Sequence, residues 1–178
     1  MVRKLYESTP YGYDQNGDEI DESTIDELYR ILERELLPQT ELARYVFGAD
    51  NMSIDEDSFE YYATGTAWGA DIDYDILVDV ATGSRGNKFN LNKFLNRNYE
   101  GLRPDLDVTD ISFDMTIKVR NDDITVDIDT NSVNIDGDYT DYFAKRFAEI
   151  FDIDAIKEDI KTIAERDAYE IKTVLSNL

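Results

Sequence analysis

The most regular pattern of the chain is Asp71-Ile72-Asp73-Tyr74-Asp75-Ile76-Leu77-Val78-Asp79-Val80. Its even-numbered positions are all apolar or aromatic, whereas four of its five odd-numbered positions are aspartate. Successive side chains of a β-strand point to opposite faces, so this alternation predicts an antiparallel strand with one buried face and one solvent-exposed face. The exposed face of that strand would be lined with carboxylates.

Two later segments repeat the alternation. Residues 108–120 place apolar side chains at odd-numbered positions from Ile111 to Val119, with Asp110 and Asp114 on the other face. Residues 123–129 alternate Asp123, Asp127 and Asp129 with apolar residues, and the preceding Asn121-Asp122-Asp123 predicts a hairpin turn. Residues 59–66 predict another strand, and a short one is expected at residues 133–135, before a turn at residues 136–138.

Apolar residues with helical spacing occur both before and after these strands. Residues 24–36 predict a helix that begins at a Thr24–Glu27 capping box and ends before Pro38. Residues 139–151 and 153–178 predict two more helices. We therefore expect a single α+β domain spanning residues 1–178. It would have an antiparallel sheet of four to five strands, with the N-terminal helix and the two C-terminal helices packed on one face.

Composition narrows the possible chemistry. The 178 residues are 42% hydrophobic and 12% aromatic, which suits one folded domain, and they include no cysteine and no histidine. This excludes disulfides, thiolate nucleophiles and histidine-based catalytic or zinc sites. No apolar run has the length of a membrane span, and the first residues lack the apolar stretch of a secretory signal. We expect no cofactor, no catalytic or metal site, and a location in the cytoplasm.

The net charge is −22, and it is unevenly distributed. The chain has 26 aspartates and 14 glutamates, and residues 50–83 contain nine acidic residues and no basic one. Residues 84–103, in contrast, contain five basic residues and one acidic residue. Duplex DNA carries one charge per about 1.7 Å, so this net charge matches about 37 Å of duplex. A domain of this length is about 40 Å across, and its charge therefore rivals that of DNA of the same length.

In size and charge the chain resembles the polyanionic phage and mobile-element inhibitors of restriction and CRISPR enzymes. The resemblance implies a non-enzymatic DNA mimic that blocks the basic nucleic-acid-binding site of a host defence enzyme such as a nuclease, in the cytoplasm of the host cell. It implies neither direct binding of nucleic acid nor membrane binding. The predicted partner-binding residues are aspartates on the strands and the following turn, namely Asp71, Asp73, Asp75, Asp79, Asp110, Asp114, Asp127, Asp129, Asp136 and Asp138.

Other interpretations remain open. Gly65-Thr66 followed by Asp71-Ile72-Asp73 resembles the metal-binding signature of nucleotidyltransferases, and Asp127 could complete that triad. An acidic phage or mobile-element interaction protein without mimicry would use the charge only for solubility. The apolar stripe of the C-terminal helix belongs to the core by default, although a homodimer through this helix is an alternative.

Two loops allow further interpretations. Asp14-Gln15-Asn16-Gly17-Asp18 has the oxygen-ligand rhythm of a calcium loop, but Ile25 occupies the position of the last ligand, so we favour a self-bonded turn. The basic segment at residues 83–94 could contact single-stranded nucleic acid, yet we favour an internal counter-charge for the acidic segments.

Overall fold

The computed structural model describes residues 11–14, 16–66, 69–81, 108–121, 123–137 and 153–177. Short π- and 3-10-helical turns lead from the first α-helix to the second strand. None of the helices in these ranges has the length and hydrophobicity of a membrane-crossing segment. The strands and α-helices are, in chain order, β1 (Tyr11–Tyr13), α1 (Glu22–Ile31), β2 (Met52–Ile54), β3 (Glu60–Thr66), β4 (Gly69–Ala81), β5 (Val108–Arg120), β6 (Asp123–Gly137) and α2 (Ile153–Ser176).

The described strands form one mixed six-stranded sheet with the order β1-β3-β4-β5-β6, and β2 also pairs with β4. The α+β class is confirmed, but the prediction of a purely antiparallel sheet of four to five strands was wrong, because β1 runs parallel to β3. The three-residue β1 is too short to show an alternating pattern. The connection from β1 to β3 contains α1 and β2, and parallel strands require such a long crossover connection.

The three long strands bury the face that their sequence alternation predicted. Ile76 of β4 lies opposite Ile117 of β5, which lies opposite Val126 of β6, and all three side chains are buried. Asn121 adopts a positive φ of 58° in the turn that joins β5 to β6, a conformation that asparagine tolerates better than most residues. The predicted hairpin is therefore confirmed, and it fixes the register of the two strands.

Both α-helices contribute to the same hydrophobic core as the sheet. The N-cap of α1 is Asp21, whose carboxylate accepts from the N–H of Ser23, so the predicted capping residue Thr24 was three residues late. The buried stripe of α2 includes Ile156, Ile160 and Ile171, in agreement with a core role. The helix predicted at residues 139–151 lies outside the described residues.

A buried carboxylate of α2 clamps the segment that follows Pro38. Asp167 accepts hydrogen bonds from the N–H of Glu41 at 2.9 Å and the N–H of Leu42 at 3.2 Å. Thr40 caps the same helical turn, since its hydroxyl accepts from the N–H of Ala43 at 3.1 Å. Burial raises the pKa of Asp167, and the two N–H donors partly oppose that shift.

Replacing this clamp should cost stability. We expect Asp167→Ala to lower the free energy of unfolding by about 2 kcal/mol, because two N–H groups at a largely buried position would lose their acceptor. Glu165→Ala, at an exposed position on the same helix, is the matched control and should change stability little. Urea denaturation followed by circular dichroism measures both. Equal stabilities of the two variants would contradict the role of Asp167.

The raised pKa of Asp167 also predicts a pH dependence. The folded state holds this proton more tightly than the unfolded chain, whose aspartate titrates near a pKa of about 3.9. The stability advantage of the wild type over Asp167→Asn should therefore be largest below that pH and should shrink as pH rises through the folded-state pKa. Urea denaturation of both proteins across this pH range measures the difference, and a constant difference would contradict the prediction.

Candidate functional site

The side chains that point away from the core define the open face of β4, β5 and β6. These three strands are direct neighbours, which the sequence did not reveal. Aspartates from separate parts of the chain therefore share one surface. The described side chains of the open face are Asp71, Asp73, Asp75, Leu77 and Asp79 on β4; Ser112, Asp114, Thr116, Lys118 and Arg120 on β5; and Asp123, Thr125, Asp127 and Asp129 on β6.

Seven of the ten predicted partner-binding residues are among these side chains. Asp110 and Asp136 face each other in the register of β5 and β6, but only their backbone is described. Asp138 lies outside the described residues. Asp123 also belongs to the open face although it was not among the predicted binding residues. Its odd-numbered position, in phase with Asp127 and Asp129, is the signal that would have identified it.

One end of the open face is internally neutralised. Arg120 Nη1 lies 2.7 Å from Asp75 Oδ1, and the side chain of Asp75 is only 15% exposed. Lys118 Nζ lies 3.2 Å from Asp127 Oδ2 one strand further along. The carboxylates of Asp75 and Asp127 are therefore engaged within the protein. The sequence placed both basic residues on this face but could not show which carboxylates they reach.

The hairpin turn and α2 secure the same end of the sheet. The backbone N–H of Asn121 donates to Asp73 Oδ1 at 2.9 Å, and Lys172 Nζ donates to Asn121 Oδ1 at 2.6 Å. Lys172 Nζ also lies 3.8 Å from Asp71 Oδ1. Partial burial raises the pKa of Asp73, against the opposing effects of the Asn121 N–H and of Arg120. Asp71 and Asp73 are thus held in place by other parts of the protein.

The other end of the open face carries a row of aspartates for which the described residues supply no salt-bridge partner. Asp79, Asp114 and Asp129 lie directly opposite one another on β4, β5 and β6, and all three are exposed. Cα atoms of residues paired in this way lie about 4.5–5.5 Å apart. Among the described residues none of these three carboxylates forms a salt bridge. We call Asp79, Asp114 and Asp129 the acidic row.

An irregularity in β6 shapes the edge of the acidic row. Ser112 pairs with Asn134, whereas Asp114 pairs with Asp129, so β6 has extra residues between these two pairs. The hydroxyl of Ser132 closes the bulge, since it accepts from the N–H of Asp114 at 2.7 Å and donates to the carbonyl of Asp129 at 2.6 Å. Asp129 Oδ1 accepts from the N–H of Asn131 at 3.0 Å. Asp114 and Asp129 are therefore fixed relative to each other.

The register does not assemble the nucleotidyltransferase triad. Asp127 lies opposite Thr116, which lies opposite Leu77, four residues along β4 from Asp73. This offset amounts to about 13 Å along the strands and about 10 Å across them. Paired catalytic metals lie only about 3.5–4 Å apart. Among the described residues no three acidic side chains are grouped closely enough to hold a metal ion.

The predictions for the two loops, residues 14–18 and 83–94, have different outcomes. Asp14 Oδ1 accepts from the N–H of Asn16 at 2.8 Å and the N–H of Asp18 at 2.9 Å, so this segment is the self-bonded turn that we favoured over a calcium loop. The basic segment at residues 83–94 lies outside the described residues. On α2, Tyr169 and Val174 are exposed, and a homodimer through this helix stays a prediction.

The neutralised end predicts a measurable coupling between two side chains. Arg120→Ala should lower the free energy of unfolding by about 1 kcal/mol, because the poorly exposed Asp75 would lose its cation. Adding Asp75→Asn should recover part of that loss. The control is Arg166→Ala, which removes an exposed pair with Glu41 and should cost at most a few tenths of a kcal/mol. Thermal or urea unfolding of the wild type, of Arg120→Ala, of Asp75→Asn, of their double variant and of the control measures the coupling, and strict additivity of the two substitutions would contradict it.

Comparison with known proteins finds no matching family model and no significant match among curated proteins or solved structures.

Proposed function

We propose that the protein is a non-enzymatic inhibitor whose open face stands in for DNA phosphates in the basic binding site of another protein. The observation that carries this proposal is the acidic row, Asp79, Asp114 and Asp129, which lies in register across three adjacent strands. Its carboxylates are exposed and form no salt bridge within the described residues. The row therefore offers fixed negative charge to an approaching cation.

A role limited to solubility explains the acidic row poorly. Like charges directly opposite one another on neighbouring strands destabilise a sheet. A surface of mixed charges would keep the protein soluble without that cost. The same face uses mixed charges at its other end, where Lys118 and Arg120 neutralise nearby aspartates. The acidic row, which forms no salt bridge within the described residues, accordingly favours a surface that is completed by a basic partner.

The balance of charge on the open face supports a polyanion mimic. Its described part carries eight aspartates against the two basic residues Lys118 and Arg120. A protein channel that binds DNA gathers lysine and arginine, and its association with a polyanion is driven by electrostatics. The target we propose is such a channel in a host defence enzyme of the restriction or CRISPR type, met in the cytoplasm of the host cell.

The proposal is tested by capture and competition. The tagged protein is used to capture binding proteins from bacterial lysates at low salt, and duplex DNA is then added as competitor. We expect basic nucleic-acid-binding proteins to be captured and then released by DNA, with binding that weakens as salt rises. Capture that DNA and salt leave unchanged would refute mimicry.

A matched pair of variants locates the surface. Asp79→Asn, Asp114→Asn and Asp129→Asn together remove three charges from the open face, and should weaken binding of a captured protein by at least about tenfold. Asp154→Asn, Glu158→Gln and Glu165→Gln remove three charges from exposed positions of α2 and serve as the control. If both triple variants bind like the wild type, the protein is an interaction protein without mimicry. Equal weakening would show that only net charge matters.

A further inference from the structure

A cavity of about 480 Å³ opens beside the acidic row. Its volume lies within the range of about 300–1,000 Å³ that is usual for sites that bind small groups. Residues 50–53 line it from the turn before β2 and from β2 itself, while residues 77–79 of β4 and 114–116 of β5 supply the remainder. The cavity therefore joins the open face to the part of the chain that precedes β2.

The short β2 explains why a hollow lies at this place. β2 has three residues and pairs with β4 only from Ile76 to Val78, although β4 extends to Ala81. The 3-10 turn Ala49–Asn51 precedes β2 and brings Asp50 to the lining. Backbone pairing thus fixes the strands β2, β4 and β5 that border the cavity, so the hollow is part of the folded sheet.

The lining combines apolar surface with carboxylates. Leu77 is 41% exposed and is the exposed large apolar residue of the described open face, where its strand neighbours on that face are aspartates. Asp79 and Asp114 lie directly opposite each other beside it, and Asp50 adds a third carboxylate. A group that fits this lining has an apolar stem to cover Leu77 and a cationic end to reach two neighbouring carboxylates.

Arginine fits these requirements better than lysine. Its planar guanidinium presents several N–H donors in a fixed arrangement and donates to carboxylates in pairs. It is also more weakly hydrated than an ammonium group, which favours contact with a leucine side chain. Lysine has a compact, strongly hydrated charge that gains less from the apolar part of the lining. Anionic ligands would be repelled by all three carboxylates.

We infer that this cavity receives an arginine side chain of the basic partner and thereby anchors the partner to the open face. The inference rests on the proposed function, because it names the group through which that partner is held. Asp79 and Asp114 would accept hydrogen bonds from the guanidinium, and Leu77 would contact its apolar stem. Carboxylates of the open face outside the cavity would attract the partner without distinguishing arginine from lysine.

Oligoarginine and oligolysine peptides of equal length test the inference. Isothermal titration calorimetry at low salt should show that the wild type binds oligoarginine about tenfold more tightly than oligolysine, the effect of about one charge-assisted hydrogen bond. Asp79→Asn with Asp114→Asn should abolish this preference. Asp123→Asn with Asp127→Asn removes two carboxylates of the same face outside the cavity, and should weaken binding of both peptides while the preference persists.

The outcomes separate the inference from the proposed function. Loss of the preference in the cavity variant alone supports the inference. Equal preferences in the wild type and both double variants overturn it, while salt-dependent binding of both peptides leaves the proposed function standing. A wild type that binds neither peptide at low salt overturns both. Removing like charges that face each other relieves repulsion, so the cavity variant should stay folded, which circular dichroism checks.

Discussion

The register between β4 and β5 and between β5 and β6 determines which side chains are buried and which form the open face. A slip of one residue in any of these strands would move its aspartates into the core and its apolar side chains into water. The buried row of Ile76, Ile117 and Val126 and the hairpin turn at Asn121 together oppose such a slip. The position of every carboxylate on the open face follows from this register.

The same register divides the open face into two electrostatic environments. Near the hairpin, Lys118 and Arg120 lie within reach of Asp127 and Asp75, and Lys172 approaches from α2. Towards the opposite end of the strands, the acidic row forms no salt bridge with any basic residue of the described part. Within the described part of the sheet, the carboxylates of the acidic row are therefore among those that no salt bridge compensates.

Local sequence pattern predicted much of the sheet. The alternation in residues 71–80 and 108–120 identified two strands, since it reports directly which side chains are buried. The pattern failed at β1, because three residues cannot establish a period, and the parallel pairing with β3 was missed with it. The start of α1 was misplaced because Thr24 and Asp21 are both good capping residues.

The candidate site was less predictable than the sheet because it depends on contacts between distant residues. The identity of the open-face aspartates could be read from the sequence, but the adjacency of the three strands could not. The pairing of Arg120 with Asp75 links positions 45 residues apart. The cavity arises because β2 is short and, within the described residues, leaves the last residues of β4 unpaired on that side. Contacts of this kind are set by strand order and register, which a local periodic pattern in the sequence does not reveal.

The bulge in β6 affects whether two copies of the protein can pair edge to edge. Among the described strands β6 is at the border of the sheet, and such a border offers backbone groups to any strand that can align with it. The extra residues around Ser132 interrupt that alignment, and aspartates on either side repel an identical strand. Both features disfavour extension of the sheet by a second copy of the chain along this part of β6, whereas a strand rich in lysine or arginine would meet no such repulsion.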